Sequence, residues 1–167
     1  MPVAVTCDML KELGSFESGI SDWVKIDQGW IDAFADLTGE RQFIHVDPEA
    51  ARASSFGGTI AHGFLTLALV SRFADEAAFR LEGCELLINY GLNRVRFLAP
   101  VLSGQRIRGR FVFKHAVPKG VRQILLTYGV TVEIEDGDRP ALVCEWMVLH
   151  EMAEAGSPAV KTSSYPE

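Results

Sequence analysis

The segment that begins at Gly63 constrains the fold of this chain more than any other. Its sequence, GFLTLALVSRFADEAAF, is apolar or small on all sides of a helix for about three turns, and its first charged side chain is Arg72. Such a pattern is typical of a helix enclosed by other structure, because a helix that lies on a surface has one polar side. We therefore expect a long central helix over 63–79, enclosed by the rest of the chain.

The second half of the chain alternates apolar with polar or small residues at a period of two. The alternation covers residues 92–97, 106–113 and 124–134, and a last candidate strand, 141–151, follows Pro140. Turn-forming stretches, APVLSG, VPKG and EDGD, separate these runs. Because successive side chains of a strand point to opposite faces, the pattern predicts long consecutive strands, each with one face towards solvent.

Helices are predicted ahead of the strands. Asp27 is a suitable N-cap for a helix over 28–38 that Gly39 would end, and Asp47-Pro48 is a typical helix start. Helices followed by a run of strands indicate an α+β fold. For a chain of 167 residues, we predict a single hot dog domain over 1–152, with a curved antiparallel sheet wrapped around a long central apolar helix, and a flexible tail over 153–167.

The composition argues against several classes of partner, location and metal site. The net charge is −6 and no basic run is longer than a residue or two, which argues against nucleic acid as a partner. The chain lacks an apolar run of ~18 residues and the features of a signal peptide, and its three cysteines, Cys7, Cys84 and Cys144, lack the spacing of a disulfide framework or a zinc site. We expect a cytoplasmic protein without a membrane span. We also expect a homodimer, because a second copy would cover the open edge of the sheet.

The residues suited to chemistry lie just before the apolar helix and at its start. Glu40 stands five residues before His45, and an acid and an imidazole that meet across a loop can together activate a water. By spacing alone this pair is a weak signal, because each residue is also common in structural positions. Gly63 begins the helix, where unpaired backbone N–H groups can bind a thioester or carboxylate oxygen as an oxyanion hole does.

Other polar residues allow two interpretations. His62 is interpreted as a structural or capping residue. Ser71, just over two helical turns after Gly63, either faces roughly the same side of the helix or bonds only to its own backbone. Five arginines on predicted strands form either a solvated sheet face or a site for coenzyme A phosphates: Arg94, Arg96, Arg106, Arg108 and Arg110.

Three blocks of sequence, TGERQFIHVDP, FGGTIAHGFLTLAL and NYGLNRVRFLAPV, resemble the MaoC-like hydratases. These are the (R)-specific enoyl-coenzyme A hydratase group of the hot dog superfamily, and the resemblance is greatest to their nodulation-protein-N-like branch. It covers about residues 20–150. It implies that Glu40 and His45 are the catalytic acid and histidine, that the Gly63 amide is the oxyanion donor, and that Ser71 is the serine on the substrate side.

The resemblance implies reversible hydration of a trans-2-enoyl-coenzyme A to the (R)-3-hydroxyacyl thioester, within fatty acid metabolism and without a metal or redox cofactor. The family's acid is usually Asp, followed by Asn-Pro, whereas Glu40 and then Gln42-Phe43 stand here. The extra methylene moves the carboxylate by about an ångström, and a misplacement of that size can cost about 10²-fold in rate. An acyl-coenzyme A thioesterase and a non-catalytic acyl-thioester binding protein therefore stay open as alternatives.

Overall fold

A computed structural model describes residues 4–12 and 14–154. In this part of the chain the helices are α1 (Cys7–Glu12), α2 (Gln28–Thr38), α3 (Phe43–Val46), α4 (Pro48–Arg52) and α5 (Gly63–Ala77). The strands are β1 (Ala4–Val5), β2 (Phe16–Ile20), β3 (Val24–Lys25), β4 (Arg80–Leu81), β5 (Cys84–Phe97), β6 (Arg106–Pro118), β7 (Gln123–Ile134) and β8 (Leu142–Met152). None of the described helices is long and apolar enough to cross a membrane. The tail predicted over 153–167 lies outside the described residues from position 155 onwards.

The body of the protein is a six-stranded antiparallel sheet. β2 and β3 both pair with β6, and the order then continues through β7 and β8 to β5. β1 and β4 form a separate parallel pair. The period-two runs of the sequence therefore all became strands, and β5 extends further towards the N-terminus than its alternation indicated. β5 has β8 on one side, and its other side is one of the two edges of the sheet among the described strands.

Helix α5 packs on one face of this sheet, against β2, β6 and β7. Its Phe73 is fully buried, which contributes about 1.5–3 kcal/mol relative to an exposed side chain. Close approach depends on Gly109 in β6, because a Cβ there would lie 2.7 Å from the Cβ of Phe73. This is the hot dog arrangement that the sequence predicted.

The expectation that α5 is enclosed on all sides is wrong for a single chain. One side of the helix is buried, but Phe64 is 70% exposed, and Ala68, Ser71, Arg72 and Asp75 are exposed with it. The sheet covers only one face of the helix. The exposed face also carries small and apolar residues over its first turns, and for that reason the sequence looked apolar on all sides of the helix.

The predicted caps are present and fix the loops around the candidate site. The Asp27 side chain accepts from the amide of Trp30, and Gly39 adopts a φ of 79° that ends α2. Asp47 caps α4 by accepting from two amides. The stretch around His45 is the helical turn α3. Glu40 thus follows the end of one helix and His45 lies within the next.

Candidate active site

The ring of His45 is held in one tautomer. His45 is buried, and its Nδ1 lies 2.7 Å from the carbonyl oxygen of Ile60. A carbonyl oxygen only accepts, so Nδ1 carries the proton and donates it, and Nε2 keeps a lone pair. Ile60 is itself fixed, because its amide donates to the carbonyl of Ile44 over 3.0 Å. The result is a neutral imidazole with one nitrogen free to accept a proton.

Burial lowers the pKa of His45 below its ordinary value of 6.5, because the charged imidazolium loses hydration. The hydrogen bond to Ile60 opposes this change, a charge on His62 adds to it, and Glu40 opposes it. The net effect is downward. His45 therefore stays neutral at a lower pH than a histidine in water, as a general base that works near neutral pH requires.

His45 lines a cavity of about 350 Å³ that opens between the start of α5 and the segment after β5. The wall is mostly apolar, with Phe56, Phe97 and Val101 among its residues, and Thr66 is a second polar side chain in it. An apolar cavity with a few polar groups is the usual form of a small-molecule site. It has room for a small apolar group beside the imidazole.

Gly63 also lines this cavity, as the first residue of α5. No described residue accepts from its amide, as expected in the first turn of a helix. The amide belongs to the positive end of the helix dipole, which favours an oxygen that gains negative charge. The ring of Phe97 packs on the glycine, because a Cβ there would lie 3.0 Å from ring carbons Cδ1 and Cε1. The structure thus brings Gly63 and His45 to one cavity.

Glu40 lies near His45 but differs from it in its exposure to solvent. Its side chain is exposed, and its carboxylate makes no hydrogen bond or ion pair within the described part of the chain. It does act on the ring of His45 through its charge. The sharing of a water between Glu40 and His45 stays a prediction.

His62 contacts both members of that pair. Its Nε2 lies 2.9 Å from the main-chain carbonyl oxygen of Glu40, and its ring stacks on the His45 ring with centroids 3.8 Å apart. His62 occupies the N-cap position of α5, but its side chain makes no capping hydrogen bond. The interpretation of His62 as a structural residue left out these contacts, because a glutamate carbonyl 22 residues away leaves no mark in the sequence.

A second pair of residues fixes the backbone of His45. The Gln28 side chain donates to the carbonyl of His45 over 2.7 Å and to the Asp32 carboxylate over 2.8 Å. It accepts from the Thr59 hydroxyl over 2.6 Å. Neither Gln28 nor Thr59 was identified from the sequence, where Gln28 is only the first residue of a helix.

Residues 17–134 match a family model described as a MaoC like domain. The chain belongs to the MaoC-like dehydratase family. Among similar MaoC-like proteins, nodulation protein N of Rhizobium leguminosarum bv. viciae is 50% identical over 134 residues, which cover 80% of this chain and 83% of that protein. The 3-hydroxyacyl-thioester dehydratase Z of Mycobacterium tuberculosis is 48% identical over 130 residues, which cover 78% and 85%.

Solved structures agree with the MaoC-like fold. A MaoC-like dehydratase from Rhodospirillum rubrum has a TM-score of 0.69 at 22% identity and covers 87% of this chain and 98% of its own. An (R)-hydratase from Pseudomonas aeruginosa in the unliganded form has a TM-score of 0.62 at 21% identity and covers 89% and 90%. Family membership makes this MaoC-like chain a hydro-lyase, an enzyme that adds or removes water.

Ser71, like Glu40, is a predicted site residue that does not line the cavity. It is exposed, and its hydroxyl accepts from the Asn89 side chain of β5 over 3.3 Å. Eight residues span roughly 12 Å along a helix, so Ser71 is too far along α5 to share an oxygen with Gly63. Thr66, about 4.5 Å along the axis from Gly63, lines the cavity instead. The role of Ser71 towards substrate, implied by the resemblance to MaoC-like proteins, stays a prediction.

The five strand arginines singled out from the sequence of this MaoC-like chain divide into two groups. Three are engaged in short ion pairs of 2.6–2.7 Å on the sheet surface, Arg106 with Glu135, Arg108 with Glu133, and Arg110 with Glu133 and Glu17. The other two, Arg94 and Arg96, lie on β5 just before Phe97. Arg94 has an 82% exposed side chain, 3.4 Å from Glu145, and Arg96 donates to the carbonyl of Val95.

Proposed function

We propose that the protein catalyses the reversible, (R)-specific hydration of a trans-2-enoyl-coenzyme A to the 3-hydroxyacyl thioester. The observation that carries this proposal is the pairing of His45, with Nε2 free, and the unpaired Gly63 amide in one apolar cavity. The name of the mycobacterial dehydratase, which acts on 3-hydroxyacyl thioesters, supports the same reaction for this chain. The (R)-hydratase among the structural neighbours supports the stereochemistry.

The proposal assigns each group one role. A water held by His45 and Glu40 loses one proton to Nε2 of His45 while its oxygen forms a bond to C3 of the enoyl group. The electrons of the double bond move towards the thioester oxygen, and the Gly63 amide stabilises the negative charge there. The Glu40–His45 pair then delivers a proton to C2 on the same face. The pair ends with as many protons as it had at the start, and one water has been added.

The coenzyme A part of the substrate needs a different surface. Arg96 makes no ion pair within the described residues, and Arg94 has one long ion pair, 3.4 Å from Glu145. Both lie on β5 within three residues of the cavity-lining Phe97. Guanidinium groups suit phosphate oxygens. These two residues, rather than the three in short ion pairs, are the proposed phosphate contacts.

The protein is further proposed to act as a homodimer. β5 is an open edge and exposes a row of apolar side chains, namely Leu86, Leu87, Ile88, Tyr90 and Leu92. The open face of α5 lies next to this row, because Asn89 of β5 donates a hydrogen bond to Ser71 of α5. An exposed apolar patch next to an unpaired strand edge favours pairing with a second copy.

The test is hydration of crotonyl-coenzyme A, followed by loss of the enoyl absorbance. We expect turnover by the wild-type protein and losses of about 10²-fold or more in kcat for His45→Gln and Glu40→Gln. His115→Gln and Glu82→Gln, at exposed positions, are the matched controls and should keep wild-type rates. Full activity in both His45→Gln and Glu40→Gln would contradict these roles.

The exposed carboxylate of Glu40 favours one other candidate, a protein that binds acyl thioesters without converting them. Binding of an acyl-coenzyme A without turnover, together with activity gained by Glu40→Asp, would support it. Release of free thiol without hydration would indicate a thioesterase instead.

A further inference from the structure

His62 touches three parts of the candidate site. Its Nε2 contacts the main-chain oxygen of Glu40 and its ring stacks on His45 at an interplanar angle of 24°. Its own peptide bond to the next residue carries the Gly63 amide. The ring of Phe34 also packs against the His62 ring, with centroids 5.1 Å apart. The ring thus links the loop after α2, the turn α3 and the start of α5.

The hydrogen bonding of His62 defines its tautomer. The Glu40 carbonyl only accepts, so Nε2 of His62 carries the proton. Nδ1 is buried and has no hydrogen-bond partner among the described residues. In the neutral ring, Nδ1 is therefore the nitrogen without a proton.

We propose that His62 is a positioning residue, which through its Nε2–H holds the Glu40 main chain against the His45 ring and keeps the Gly63 amide in register with both. The inference rests on the proposed hydration. It assigns no proton transfer to His62, whose ring nitrogens are used or buried. Loss of the Nε2 donor would free the loop that carries Glu40, and a displacement of about 1 Å there can cost about 10²-fold in rate.

The stacked rings also have an electrostatic consequence. The titratable groups that act on His45 are His62, at the start of α5, and Glu40, in the loop after α2. Two imidazoles at 3.8 Å cannot both be protonated without repulsion. Replacing His62 with a residue that never carries charge therefore raises the pKa of His45.

The first experiment needs no enzymatic activity. ¹⁵N chemical shifts of the histidine rings of the full chain report the tautomer of each ring, and a pH titration reports their pKa values. We expect His62 as the Nε2–H tautomer and His45 as the Nδ1–H tautomer, and we expect the pKa of His45 to rise in His62→Gln. A proton on Nδ1 of His62 at neutral pH, or an unchanged titration of His45 in the variant, would overturn the inference.

The second experiment separates the hydrogen bond from the ring. His62→Gln keeps a donor near the position of Nε2 but loses the ring, and His62→Phe keeps a ring but loses the donor. With enoyl-coenzyme A as substrate, we expect His62→Phe to lose about 10- to 100-fold in kcat with little change in KM, and His62→Gln to recover most of it. In both variants the acidic limb of the pH profile of kcat/KM should move to higher pH. Equal losses in the two variants, or none, would overturn the role of the donor.

The two proposals fail in different ways. If the wild-type protein converts no enoyl thioester, the proposed function fails, while the tautomer and titration of His62 and His45 still decide the geometric part of the inference. If the wild-type protein is active and His62→Phe is folded and equally active, the inference fails alone. Circular dichroism and thermal unfolding of each variant establish that it is folded.

Discussion

The side-chain amide of Gln28 donates to the main-chain carbonyl of His45 over 2.7 Å while its oxygen accepts from the Thr59 hydroxyl over 2.6 Å. The first residue of α2 therefore holds the backbone of the candidate base from one side, and the Ile60 carbonyl holds its ring from the other. Catalytic groups need this kind of support, because small displacements cost much of the rate.

Removing the Thr59 hydroxyl should loosen His45 without touching substrate. Thr59 is buried, so Thr59→Val leaves the Gln28 oxygen without its donor and should lower the free energy of unfolding by about 1–3 kcal/mol. We expect kcat for hydration to fall by roughly tenfold. Thr59→Ser keeps the hydroxyl and is the control. Urea unfolding and steady-state kinetics measure the two effects, and a Val variant that matches the Ser variant in both would contradict the role of this bond.

Gly63→Ala should disturb the site more than the fold. An added Cβ meets the Phe97 ring at 3.0 Å, and this partly exposed ring can move by a few tenths of an ångström. We expect a loss of about 10- to 100-fold in kcat/KM and a change in unfolding free energy of about 1 kcal/mol or less. Gly58→Ala is the matched control, because its Cβ would meet only Leu102 at an ordinary 3.9 Å. Equal kinetics for the two alanine variants would disprove the close packing at Gly63.

Stability should fall as the solution becomes mildly acidic. Burial lowers the pKa of both His45 and His150 below the ordinary value of 6.5. Below that pH the unfolded chain binds more protons than the folded protein, so the free energy of unfolding decreases from about pH 7 towards pH 5. Denaturant unfolding at several pH values measures the slope. His150→Gln should reduce it and His115→Gln, at an exposed site, should not; a flat profile in the wild type would contradict both shifts.

A charge on the open strand edge should separate the proposed dimer. Leu87 on β5 is 60% exposed, and a lysine there would place charges from two copies close together in a desolvated interface. We expect Leu87→Lys to change the mass in analytical ultracentrifugation from two chains to one while the circular dichroism spectrum is unchanged. Val121→Lys, in the turn between β6 and β7 and fully exposed, is the control. A dimer that survives Leu87→Lys would locate the interface elsewhere.

Most elements were predictable because their signals are local. The Asp27 cap and the Gly39 stop lie within a few residues of the amides and carbonyls they serve, and the alternation of β6, β7 and β8 follows directly from side chains that face opposite ways. β2 was not predicted, since FESGI has little alternation and gains its strand conformation by pairing with β6 across a bulge. The open face of α5 was also missed, because an apolar face carries the same residues whether a sheet or a second chain covers it.

The sequence by itself determined the α+β order, the ends of its helices, the location of Glu40 after α2 and of Gly63 at the start of α5, and the family resemblance of these blocks. Only the tertiary structure decided which groups meet. His45 binds Ile60 across 15 residues, His62 binds Glu40 across 22, and Thr59 binds Gln28 across 31. Each of these bonds depends on how the helices pack on the sheet, and their partners include main-chain carbonyls, which every residue possesses. For that reason the tautomer of His45, the contacts of His62 and the distance of Ser71 from the cavity emerged only once the chain was folded.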